Sequence, residues 1–194
     1  MLPASFEYHR AETLDEAKGL LATYGDDAKV LAGGQSLIPM MKLRFAAPGH
    51  LIDVNRIPGL DGIEEQDGVL HIGALVRHNQ LAASDVVKAN HPTIAATAPQ
   101  ISDPLVRNLG TIGGSLSHAD PAGDLGSTML AIGASVVLTS SRGERVVPVS
   151  EFLVDTFTTS AEPDELMTEV RVPTPPPRSG GTYLKLERKI GDWA

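Results

Sequence analysis

The sequence of 194 residues predicts a mixed α and β fold of the α+β class. Three observations carry that prediction. Short apolar runs bounded by turn residues recur along the chain, Leu51-Ile52-Asp53-Val54 and Ser135-Val136-Val137-Leu138-Thr139 among them. Helix start and stop signals frame other stretches. Two glycine loops, 30–37 (VLAGGQSL) and 108–116 (NLGTIGGSL), each follow an apolar run.

In chain order, Thr13-Leu14-Asp15-Glu16 reads as a capping box. The apolar spacing Leu14, Ala17, Leu20, Leu21 continues the helix until Gly25 ends it. Residues 28–32 then read as a buried strand that delivers the first glycine loop. Residues 50–54, 62–64 and 69–72 read as strands punctuated by Pro58-Gly59 and Asp67-Gly68. Ser84 is expected to cap a helix through Ala89, and Thr93 another through Ala98. Pro104 forces Asp103 into an extended conformation ahead of the second glycine loop. Asp124 to Ile132 suits a helix with an acidic start, favourable at the positive end of the helix dipole. A hairpin is expected from 135–139 and 144–149 around Ser140-Ser141-Arg142-Gly143, and a last strand over 166–172 ends at Pro173. The stretch 173–181 (PTPPPRSGG) cannot join a sheet interior and marks a domain junction.

Composition removes several function classes. With 16 Lys and Arg against 24 Asp and Glu, the net charge of −8 argues against nucleic-acid binding. An anionic ligand must therefore be met by local N–H dipoles rather than by a positive surface. There is no cysteine, so the chain itself can hold no iron–sulfur cluster, disulfide or thiolate metal site. The first residues lack a basic start followed by an apolar core, and no 18 apolar residues run together, so a cytoplasmic protein without a membrane span is expected. The six histidines are scattered, with no H-E-x-x-H and no i, i+4 pair, and no metal site is expected. Ser115, Ser117 and His118 lie near one another, but no G-x-S-x-G elbow supports a hydrolase.

The glycine loops carry the functional reading. Glycine admits positive φ and lets bare backbone approach a ligand, while neighbouring Ser and Thr add hydroxyl donors. Successive N–H groups can converge on phosphate oxygens as an anion nest. Neither loop reads G-x-G-x-x-G into a long helix and no G-x-x-x-x-G-K-[ST] occurs, so dinucleotide-fold and Walker motifs are excluded.

The stretch 32–39 (AGGQSLIP), with Lys42-Leu43-Arg44 and Leu51-Ile52-Asp53, resembles the first flavin segment of the FAD-binding subunits of molybdenum hydroxylases. Arg107-Asn108, 110–116 (GTIGGSL), then His118-Ala119-Asp120-Pro121 and Asp124 resemble the second. The family includes the medium subunit of aerobic carbon monoxide dehydrogenase and the FAD domain of xanthine dehydrogenase. Residues 183–194 are similar to the start of its C-terminal domain. The resemblance implies a two-lobed FAD-binding domain of the PCMH or vanillyl-alcohol-oxidase-like type over 1–176, its subdomain boundary near 55–60. Residues 177–194 would then be a linker and the beginning of a C-terminal α/β lobe.

It also implies a site. Ala32, Gly33, Gly34, Gln35 and Ser36 with Thr111, Ile112, Gly113, Gly114 and Ser115 would bind the FAD pyrophosphate and ribityl chain through N–H and hydroxyl donors. Asp124 would accept from the sugar chain, with a plain helix N-cap as the alternative. Lys185 would reach the cofactor from the C-terminal lobe, or else be an exposed strand lysine. Leu31, Ile101 and Leu166 would pack on flavin or adenine rings, or simply fill core. Gln35 stands where some members carry histidine and Ser115 where many carry asparagine.

The implied role is electron relay without acid–base catalysis by this chain. A molybdenum large subunit would oxidise substrate and a small subunit with two-iron two-sulfur clusters would pass the electrons to this FAD, which hands them to an external acceptor, in a dimer of heterotrimers. The complex would be cytoplasmic, at the inner membrane face where its acceptor requires. Residues 189–194 lean toward the carbon monoxide dehydrogenase type, with xanthine, aldehyde or N-heterocycle dehydrogenases as the alternative. Two further classes stay open: a module for another nucleotide such as NAD or coenzyme A, and a scaffold without cofactor. The family continues beyond residue 194, so the chain is expected to be either a fragment or a shortened protein, and a C-terminal lobe reduced to its first strand would leave an open strand edge and an incomplete wall over the flavin.

Overall fold

A computed structural model describes residues 2–186. Expectations that rest on 187–194 lie outside the described residues.

The chain opens with β1 (Glu7–Arg10), α1 (Leu14–Tyr24), β2 (Ala28–Leu31), α2 (Leu37–Lys42) and β3 (His50–Asp53). Helices between the strands allow parallel pairing, and the three strands lie in the order β1-β3-β2, all parallel. Thr13 caps α1, its Oγ1 accepting from Glu16 N–H at 3.2 Å. The Glu16 carboxylate reaches back past the cap to accept from Glu12 N–H at 2.8 Å. Gly25, at φ 49°, ends the helix as its spacing predicts. Ala17, Leu21, Ala28, Ile52 and Val54 join Leu60, Leu75 and Leu166 in a small core behind this sheet.

There follow β4 (Ile63–Gln66), β5 (Val69–Gly73) and a run of short helices: α3 (His78–Ala83), α4 (Asp85–Asn90), α5 (Pro92–Thr97), α6 (Pro104–Leu109), α7 (Ile112–His118) and α8 (Asp124–Ala131). The chain continues through β6 (Ser135–Ser140), β7 (Gly143–Pro148), α9 (Val149–Phe152), β8 (Leu153–Asp155), β9 (Thr158–Thr159) and β10 (Leu166–Pro173). Strands β4-β5-β10-β6-β7 form an antiparallel sheet with β10 at its centre, and β8 pairs with β9. The larger core, with Leu70, Ile72, Ile112, Leu116, Val136, Phe152 and Val170, lies between that sheet and the helices.

The expected strands and the hairpin over 135–148 are all found, with shifts of a residue or two at their ends. Two expectations need correction. Thr93 does not cap its helix: α5 starts at Pro92 after His91, because proline's fixed φ and missing N–H suit the first helical position. The second glycine loop is largely the helix α7, whose cap Thr111 accepts from Gly114 N–H at 3.1 Å. Two adjacent glycines disfavour helix by about 1 kcal/mol each, which burial of Ile112 and Leu116 outweighs. Helices α2, α3, α6 and α9 have four to six residues, too short to be stable alone, so their periodicity in the sequence is faint.

Candidate functional site

Both glycine segments open onto one crevice of about 560 Å³, a volume within the usual range for small-molecule and cofactor sites. Ala32, Gly33, Gly34, Gln35, Ser36, Ile101, Thr111, Gly113, Gly114, Ser115, Asp124 and Leu166 line it.

The first segment behaves as a nest. Gly34 sits at φ 70°, a conformation that glycine adopts without steric cost. The N–H groups of residues 33–36 donate to no other described residue, and Gln35 folds back so that its amide donates to Gly33 O at 3.2 Å. Four successive unpaired N–H groups at the mouth of a crevice are the donor set an anionic linker needs.

The second segment offers less backbone than expected. Ile112 N–H donates to Val76 O at 3.0 Å, Gly113 N–H to Ala74 O at 2.9 Å, and Ser115 N–H to Thr111 O at 3.0 Å. With Gly114 bonded to Thr111 Oγ1, the N–H groups of 112–115 are all used, two in seating α7 beside residues 74–76 and two within its own first turn. What remains for a ligand is the N–H of Thr111 and the Ser115 and Ser117 hydroxyls. Gly113 is required by contact: a Cβ there would stand 2.7 Å from both Cβ and O of Ala74.

The two segments touch directly. A Cβ on Gly33 would collide with Leu109 O and lie 2.8 Å from Gly110 Cα. Two residues that drew no attention in the sequence tie the segments together. Asn55 Nδ2 donates to Ala32 O at 2.9 Å and Leu31 O at 3.3 Å. Arg77 donates through Nη2 to Asn55 Oδ1 at 2.6 Å and through Nη1 to Leu109 O. Nothing periodic marks Asn55 or Arg77. The only clue is a polar pair, Arg77-His78, directly after the apolar run 74–76.

Three predicted residues sit off the crevice wall. Leu31 packs beneath Gly34, and Ile112 is wholly buried in the larger core. Lys185 is nearly enclosed: its Nζ lies 3.1 Å from Asp124 Oδ2 and donates to Gln100 O at 3.3 Å. It is therefore not an exposed lysine. Asp124, the first residue of α8 rather than its cap, also accepts from Tyr183 Oη at 2.6 Å. Among the described residues Arg107 forms no ion pair, and its Nη1 donates to Ile101 O and Ser102 O. His78 also lines the crevice, its Nδ1 buried and without a partner among the described residues. Burial, with Arg107 and Arg77 nearby, pushes its pKa down to about 4, so it is neutral at pH 7. Ser102 Oγ, on the same wall, is a second buried polar atom without a partner among the described residues.

An unpaired N–H row, orphaned polar atoms and the apolar surfaces of Ile101 and Leu166 fit an elongated molecule with an anionic centre and flat rings. Acidic groups also line the crevice, but Asp124 is neutralised by Lys185 and Glu165 by Arg145 at 2.7 Å. Asp120 is a turn residue, accepting from Ala122 N–H at 2.9 Å.

Comparison with known proteins gives the family and the fold. The family described as the FAD binding domain in molybdopterin dehydrogenase matches residues 4–175. The chain is 48% identical over its whole length to the carbon monoxide dehydrogenase medium chain of Hydrogenophaga pseudoflava, covering 68% of it. It is 45% identical to subunit alpha of the 6-hydroxypseudooxynicotine dehydrogenase complex of Paenarthrobacter nicotinovorans, covering 66% of that subunit. A solved carbon monoxide dehydrogenase from Hydrogenophaga pseudoflava superposes with a TM-score of 0.97 at 49% identity, over all of this chain and 68% of that one. The chain thus spans about two thirds of the length of these relatives.

Proposed function

Because the chain belongs to the family of FAD-binding domains of molybdopterin dehydrogenases, we propose that its crevice holds FAD with the dinucleotide's pyrophosphate on the N–H groups of residues 33–36. The observation that carries this reading is the meeting of residues 33–36 and 111–115 at one crevice, with the first row of amides unpaired. Thr111 and the Ser115 hydroxyl supply donors from the other wall, and Asp124, held in register by Lys185 and Tyr183, accepts from hydroxyls of the sugar chain. Ile101 and Leu166 present apolar surface to the rings, and Leu31 and Ile112 support the loops from behind.

When bound, FAD supplies the exchange between one-electron carriers and a two-electron acceptor. The chain's own part is to fix the pyrophosphate, exclude water with Ile101 and Leu166, and keep His78 neutral beside the site. We propose that the chain is the flavin component of a carbon monoxide dehydrogenase-type complex, working in the cytoplasm with an iron–sulfur small subunit and a molybdenum large subunit as a dimer of heterotrimers. We further propose two FAD-domain lobes meeting near 55–60, and a junction near 176 leading into the C-terminal lobe.

Purification of the chain within its complex tests the reading. Flavin absorbance, with about one FAD released per chain on denaturation, is expected, and equilibrium dialysis should favour FAD over NAD and coenzyme A. A colourless protein that binds NAD or coenzyme A as well as FAD overturns it.

A further inference from the structure

At the far end of the three-stranded sheet, away from the glycine loops, the fold assembles a second constellation. Glu7 and His9 are two residues apart on β1, so their side chains share one face, and the parallel register sets Glu7 opposite His50 on β3. His9 and His50, separated by 41 residues in sequence, meet with Nε2 and Nδ1 3.0 Å apart. Glu7 Oε2 lies 3.5 Å from His50 Nδ1 and 3.9 Å from His9 Nε2.

We propose that Glu7, His9 and His50 form a binding site for a divalent transition-metal ion of the zinc type, independent of the flavin crevice. A triangle with these three edges has a centre about 2.0 Å from every corner, which is the bond length zinc makes to histidine nitrogen and carboxylate oxygen. Two borderline imidazole donors with one carboxylate suit zinc, nickel or copper. Calcium and magnesium, which prefer all-oxygen shells, do not match them. In the metal-free arrangement a hydrogen bond joins the two facing nitrogens. An ion bound to both nitrogens would take that bond's place and require the His50 N–H to be on Nε2, which lies 3.9 Å from Asp27 Oδ2.

The surroundings orient the ligands. Asp27 is itself anchored, its Oδ1 accepting from Gly49 N–H at 3.0 Å, so a carboxylate stands behind the distal nitrogen of His50 as outer partners do in metal sites. Tyr24 stacks on His50 with ring centroids 3.6 Å apart and planes 13° apart, fixing the imidazole. The His9 and His50 side chains are 21% and 17% exposed while that of Glu7 is 72% exposed, so an ion can enter from solvent and keep water on its open side. Bound there, it would fasten the edge strand β1 to β3.

The test is a zinc titration of the purified protein with its flavin, in competition with a chromogenic chelator, and with cobalt as a spectroscopic probe. One zinc ion per chain is expected, with visible cobalt absorption bands. His9→Gln and His50→Gln should each weaken zinc binding tenfold or more, and Asp27→Asn by a smaller factor. Glu7→Gln leaves both rings in place, so it serves as the variant least able to disturb folding, and it should also weaken binding at least tenfold. Flavin content is read in the same samples and should not change, which separates this site from the crevice. Zinc affinity within threefold of the parent in Glu7→Gln and in the folded histidine variants overturns the proposal, as does the absence of any zinc uptake by the parent.

Discussion

Gly33→Ala is the sharpest perturbation of the cradle. Gly33 carries no positive φ, so an alanine there is tolerated by its own backbone and the whole effect comes from contact. The added Cβ meets Leu109 O, with Gly110 Cα at 2.8 Å and Leu109 C at 2.9 Å. All are main-chain atoms that cannot swing aside, and ordinary contact begins near 3.4 Å, so the two glycine segments must part by about an ångström. Overpacking of this kind costs about 1–3 kcal/mol. Expressed entirely in ligand affinity, that is a roughly 5- to 150-fold weaker FAD complex, because every 1.4 kcal/mol is tenfold. Gly19→Ala is the matched control. It lies inside α1 with nothing within 4 Å of the new Cβ, and it should stabilise the protein by up to about 1 kcal/mol without touching FAD affinity. Both variants are compared by fluorescence titration of the apoprotein with FAD and by thermal unfolding. A Gly33→Ala protein that binds FAD within twofold of the parent and melts at the same temperature would refute the argument that these backbones are in obligatory contact.

Asn55→Ala removes the donor to Ala32 O and Leu31 O and leaves Arg77 without its side-chain acceptor. At about 1 kcal/mol per net hydrogen bond, a loss of about 2–3 kcal/mol in denaturant unfolding is expected together with weaker FAD binding. Lys185→Met strands the Asp124 carboxylate in a site where the two side chains are only 4–5% exposed. A loss of about 3–5 kcal/mol is expected from the single change, and most of it should return in the double variant with Asp124→Leu, since a buried pair replaced by apolar groups is often nearly neutral; an equally unstable double variant would contradict this. His78, held neutral with a pKa of about 4, is protonated more readily in the unfolded chain, where histidine titrates near 6.5. Its stabilising effect is complete above about pH 6.5 and lost as pH falls toward 4, about 3 kcal/mol in all. Denaturant unfolding at pH 7 and pH 5 should show this slope, and His78→Gln should reduce it, with His91, whose pKa burial also lowers, still contributing in the same direction.

Local signals were legible wherever a residue acts on its own neighbours. Thr13 and Gly25 bound α1 because a hydroxyl meets an N–H three residues on and a glycine takes positive φ. Ser140 to Gly143 turns β6 into β7, and Pro173 ends β10. The exclusion of iron–sulfur ligation followed from the absence of cysteine alone. The segments that matter for binding were also visible, since glycine pairs after apolar runs stand out in any frame.

Which atoms of those segments are free was decided only by the tertiary structure. The amides of 33–36 remain unpaired because β2 ends before them, whereas those of Ile112 and Gly113 are claimed by the carbonyls of Val76 and Ala74 and those of Gly114 and Ser115 by the helix cap. The same holds for Arg77 with Asn55, Lys185 with Asp124, and His9 with His50: each pair is made by strand register and helix packing between distant parts of the chain. Sequence fixes φ preferences and short-range hydrogen bonds, but a donor's availability depends on what the rest of the fold brings against it.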